Sequence, residues 1–141
     1  MSMEIHIFMR NSQVPSRDAW QQAIERLGFP LIIEPSLDLR KDSAYWPMDY
    51  KDEPTGVEVY LDDAADILSN CPPHVVSKVD DRDKCVSFRF GSDMTEGTVA
   101  MLAAAALAKL TDGVYLDEDY TLYNAEEVVE VARKDLEEGS R

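Results

Sequence analysis

The residues best suited to chemistry in this chain are few. Its two histidines are His6, in "EIHIFM", and His74, behind the proline pair of "NCPPHVV". Cys71 stands three residues before His74, a spacing at which a thiolate and an imidazole could form a nucleophilic pair. Such a thiol needs a nearby cation to lower its pKa, and only Lys78 is close in sequence. Both residues therefore read as loop positions without a special role. Asp117, Glu118 and Asp119 could offer oxygens to a hard cation, yet an EF-hand loop counted from Asp117 needs glycine where Leu122 stands. Asp80, Asp81 and Asp83 are interleaved with Arg82 and Lys84, which neutralise them. No phosphate-cradling G-x-x-x-x-G-K-[ST], dinucleotide G-x-G-x-x-G or nucleophile-elbow G-x-S-x-G occurs. The expectation is a protein without catalytic residues, metal or cofactor.

Two sets of side chains point to binding instead. The segments 4–9, 56–61 and 85–90 alternate as strands do, with Ile5, Ile7, Met9, Val57, Val59, Leu61, Val86, Phe88 and Phe90 on their aliphatic and aromatic side. If that side meets the helices, His6, Phe8, Glu58, Tyr60, Ser87 and Arg89 share the opposite one. His6, Glu58, Tyr60 and Arg89 would then form a sheet-face site; the competing arrangement pairs Glu58 with Arg89 and buries Phe8 and Tyr60 under another helix. The second set lies in "SAYWPMDYKDEPTGVEVY", residues 43–60, where prolines and acids surround large aromatics. Residues 36–55 read as an irregular loop tied down by Trp46, presenting Tyr45, Asp49, Tyr50, Asp52 and Glu53 to a partner.

The elements that must position these groups follow from pattern and caps. Ser16 caps a helix whose stripe is Trp20, Ala23, Ile24 and Leu27, stopped by Gly28 and Pro30. "LIIE", 31–34, is a short strand, and "DDAADILSN" a short helix. The strongest helix is "TVAMLAAAALAKLTDG", begun by a box at Asp93 and Glu96 and ended at Gly113. Apolar nearly all round, it belongs at the centre. "VYL", 114–116, is a strand, and a box at Asn124 and Glu127 opens a last helix, with 137–141 a frayed tail. This order predicts one α+β domain over 1–141, mostly antiparallel. Its core would be a split β-α-β-β-α-β (ferredoxin-like) unit with helices on one face, extended by a helix-strand-helix.

Composition narrows the partners. A chain of 141 residues can bury a core without disulfides or metal, and 45% hydrophobic with 30% charged residues is ordinary for a globular domain. Fourteen basic against 28 acidic residues give a net charge of −14. That opposes nucleic acid and anionic membranes and favours a basic partner. Cys71 and Cys85 form no C-x-x-C pair and are expected to be reduced thiols, and the opening residues read as a strand rather than a leader, so a cytoplasmic setting is expected.

"GVEVYLDDA", "VSFRFGSDM" and the alanine-rich helix closing in "LTDGVYLDED" resemble, over about residues 18–133, small bacterial immunity proteins of polymorphic toxin and contact-dependent inhibition systems. The resemblance implies a compact, acidic protein that neutralises a toxin domain by direct binding; it assigns no residue a role. Two other readings remain: a small-molecule sensor or enzyme using His6, Glu58 and Arg89, and a homodimer formed through a sheet edge.

Overall fold

The alternating segments become the middle of a seven-stranded sheet in the computed structural model, which describes residues 3–139. In chain order the strands are β1 (Met3–Met9), β2 (Leu31–Ile33), β3 (Ala44–Tyr50), β4 (Glu53–Asp63), β5 (Lys84–Phe90), β6 (Val114–Leu116) and β7 (Leu122–Tyr123). Across the sheet they run β2-β3-β4-β5-β1-β6-β7, each pair antiparallel. The helices are α1 (Arg17–Arg26), α2 (Ala64–Leu68), α3 (Pro73–Val79), α4 (Met94–Thr111) and α5 (Ala125–Gly139). The protein is thus an α+β fold built on an antiparallel sheet.

The aliphatic face carries the main core. Ile5, Ile7, Val57, Val59, Val86 and Phe88 are buried there against α4 and its neighbours α1 and α5. Alanines from Ala103 to Ala106 let those elements approach closely and are fully buried, as the sequence of α4 requires. Trp20 of α1 lies in the same layer, donating from Nε1 to the Ala103 carbonyl at 3.0 Å. The caps at Ser16 and Asp93 form as expected, and Asn124 and Glu127 cap α5 reciprocally at 2.9 Å.

Several expectations need correction. The split unit would hold β1 between β4 and β5, whereas β4 and β5 pair directly and β1 lies beyond β5. Between β4 and β5 the chain makes two short helices, not one crossover, and returns antiparallel beside the strand it left. Helices also cover both faces: α2 and α3 pack on the second one, over Phe8, Cys85, Val114 and Leu116. His74, read as a loop position, lies in α3, whose opening residue is Pro73, where a missing N–H costs nothing. The tail assigned to 137–141 is helical through Gly139, and its last two residues lie outside the described ones.

A further correction concerns 36–55, which is only partly a loop. Residues 44–50 and 53–63 form a hairpin around Lys51 and Asp52, both with positive φ, 52° and 66°, as a two-residue primed turn demands. Pro47 sits within β3 without breaking it. Its carbonyl accepts from Glu34 N at 3.2 Å, on the side where β2 has already ended, so its absent N–H removes no bond to β4.

Candidate functional site

On the second face, α2 and α3 cover only the β1-β5-β6 end, and the rest stays open. Two cross-strand rows occupy the open part. Tyr45, Glu58, Arg89 and Glu4 face one another across β3, β4, β5 and β1; Tyr60, Ser87 and His6 form the next row. The sheet therefore brings together His6, Glu58, Tyr60 and Arg89, and it adds Tyr45, which the sequence had placed in a separate set. Tyr45 and Asp49 of the second candidate set thus share one surface with the first.

The hydrogen bonding differs from a simple Glu58–Arg89 pair. Glu58 accepts a hydrogen bond from the Tyr60 hydroxyl, and Arg89 approaches Glu4 at 3.5 Å instead. The Glu58 carboxylate raises the Tyr60 phenol above its ordinary pKa, so this hydroxyl stays a proton donor. His6 Nδ1 is 2.7 Å from Ser87 Oγ. Burial pushes the imidazole down, against the opposite pull of Glu4 and Asp62, which favours the neutral ring.

Tyr45 is 57% exposed and lies across Gly56. A β-carbon at Gly56 would come within 2.5 Å of the Tyr45 ring and 2.6 Å of the Trp46 carbonyl, so the absent side chain makes room for the ring. Next along this face are exposed Asp49 and Ile32, opposite one another in β3 and β2. Trp46 points the other way, 1% exposed, its ring 5.6 Å from that of Trp20. It is the anchor that the sequence suggested. Tyr50 departs from the expectation: it shares Trp46's side of β3 and is half-buried against the main core, with the Lys51 ammonium 5.3 Å from its ring. Asp52 and Glu53 are exposed at the hairpin tip.

Where the open face meets the α2 layer, a groove of about 310 Å³ opens beside His6. Glu4, Asp66, Asp117 and Glu118 supply its charge, and Tyr120 closes its rim. Glu4 was legible as the residue two before His6; Asp66 and Tyr120 come from distant elements and had no sequence signal. Cys71 also lines the groove, but it donates to the Ile67 carbonyl at 3.3 Å, and burial raises its pKa. His74 Nε2 is 3.0 Å from the Tyr120 carbonyl. The thiol is thus not activated, and each member of the conceivable pair has another partner. Among the described residues, no cluster of three or more His, Cys, Asp and Glu side chains is placed to hold a metal ion.

No protein-family model matches this chain, and a search of curated proteins found no match either. Among the described residues, no helix is long and apolar enough to cross a membrane.

Proposed function

We propose that this is a cytoplasmic binding protein of the immunity type, capturing a basic toxin domain on the open half of its sheet. The observation that carries the reading is the face itself: a stable sheet surface is left uncovered, and it bears Tyr45 and Tyr60 among Glu4, Glu58 and Asp49. Aromatic side chains held on a rigid strand supply contact area at low entropic cost, and the acids steer a basic partner toward them. The hairpin tip with Asp52 and Glu53 extends the negative rim. Arg89, held by Glu4, leaves the surface acidic on balance.

A second reading, a small-molecule sensor, draws on the groove beside His6, whose size suits a small ligand and whose carboxylates suit a cationic one. Pairing of two copies through the β2 edge has less support. Gln21 donates to the Leu31 carbonyl at 2.9 Å and accepts from Ile33 N at 2.8 Å, and Arg17 donates to the Ile33 carbonyl at 3.1 Å. These side chains take the place of a neighbouring strand.

The experiment is co-expression with candidate basic toxin domains encoded beside this protein. Growth should be restored by the wild type and not by a Tyr45→Ala/Glu58→Lys variant that folds normally. Equal protection by the variant would remove the open face from the function.

A further inference from the structure

A second surface, on the opposite side of the sheet, is independent of the reading above. Between the start of β1, the end of β5, the first turns of α4 and the last turns of α5 lies a groove of about 430 Å³. Its apolar lining includes Met3, Phe90, Met94 and Met101. Met94 is 86% exposed and Met3 45%, an unusual pair of apolar side chains to leave in water at one place. Methionine is flexible and polarizable, and adapts to apolar groups of varied shape.

The charge around this groove has one sign. Asp93, Asp117, Asp135 and Glu138 line it, and no lysine or arginine does among the described residues. An anion drawn to the start of α4 would find that position taken, since Asp93 already accepts from Thr95 N at 2.7 Å and Glu96 N at 3.3 Å. Asp135 is partly buried, and that burial together with the nearby Glu138 charge holds its carboxyl above the ordinary value. A cation placed there would relieve both costs.

We propose that this groove docks an amphipathic basic segment of a protein partner, its apolar side chains on the methionines and its lysines or arginines against Asp117, Asp135 and Glu138. Charge complementarity selects that occupant: an acidic or purely apolar segment would leave the rim unpaired. The proposal stands or falls without the sheet face, because the methionines, Asp135 and Glu138 lie on the opposite side; Asp117, at the end of β6, also lines the groove beside His6.

The test uses the full chain labelled with carbon-13 at its methionine methyls, titrated with an amphipathic leucine–lysine helical peptide and with its leucine–glutamate counterpart. Met3, Met94 and Met101 should shift saturably with the lysine peptide only, while buried Met9 and Met48 stay still. Met94→Gln, at a site too exposed to affect folding, and Asp135→Asn should each weaken binding by about tenfold. A Tyr45→Ala/Tyr60→Ala variant should bind the peptide as the wild type does, which separates this groove from the sheet face. Absent shifts, equal response to both peptides, or shifts that track protein concentration without peptide, meaning a second copy fills the groove, would each overturn the proposal. So would methionine shifts caused, without peptide, by deleting residues 1–2 and 140–141, which would make the chain's own ends the occupant.

Discussion

The second face of the sheet is two surfaces joined along one row of residues. On the covered half, Phe8, Cys85, Val114 and Leu116 meet α2 and α3 and are buried. On the open half, Tyr45, Glu58, Tyr60 and Arg89 have the same strand geometry and, among the described residues, no layer above them. His6 and Ser87 stand at the boundary, bonded to each other. The backbone is continuous across both halves, so only side-chain chemistry separates them: apolar residues recruit a helical layer, and polar and aromatic ones leave the face open. If this is right, substitutions on the covered half should cost stability, and those on the open half should cost binding.

The largest effect is expected at Phe8. Phe8→Ala leaves a cavity beneath α2 and α3 and should destabilise the protein by about 3 to 5 kcal/mol, read from denaturant midpoints. A loss as small as that of an open-face substitution would erase the distinction between the halves.

Gln21→Ala should follow, at about 1 to 3 kcal/mol, because it strands the Leu31 carbonyl and the Ile33 N–H at a protected edge. Sedimentation should show more self-association of this variant than of the wild type; unchanged stability would mean that the edge needs no closure. Gly56→Ala tests the open half where it is tightest. Tyr45 can swing aside, but the Trp46 carbonyl cannot, so a cost of about 1 to 3 kcal/mol is expected in thermal or denaturant unfolding. A neutral result would show that the Trp46 carbonyl does not crowd this position as described.

A smaller effect is expected at the boundary. The His6 pKa is lowered in the folded state, so above the ordinary value of about 6.5 both folded and unfolded chains carry a neutral ring. As pH falls below that value, the unfolded chain takes up the proton first, and stability is lost until the folded pKa is reached. Between about pH 7.5 and about pH 5.5 the wild type should therefore lose more stability than His6→Asn, which has no such proton. Equal losses would place His6 in a more solvated setting than the boundary row gives it.

Much of this was readable from alternation alone. The residues of β1, β4 and β5 declare both their faces, so the sequence alone puts His6, Glu58, Tyr60 and Arg89 together on one of them. Trp46 was legible as an anchor because a polar, proline-containing stretch needs an apolar tie. What alternation could not supply was strand order. Nothing local tells β5 to pair with β4 rather than to leave room for β1, since that choice depends on how α2 and α3 return the chain. Pro47 concealed β3 for a related reason: its missing N–H is harmless only because β2 ends one residue too early to use it. Tyr50 was misassigned with β3, for once the segment is a strand its parity with Trp46 turns it toward the core.

The most direct test of the account pairs two measurements on one Tyr45→Ala/Tyr60→Ala variant: its denaturant midpoint, and its Kd for the basic toxin domain proposed as the partner. Each substitution on an open face should change stability by only about 0.5 kcal/mol. Loss of two aromatic contacts should weaken binding by roughly 2 kcal/mol or more, about thirtyfold. A midpoint lowered by several kcal/mol with an unchanged Kd would contradict the account, showing that the open half is structural and that the partner binds elsewhere.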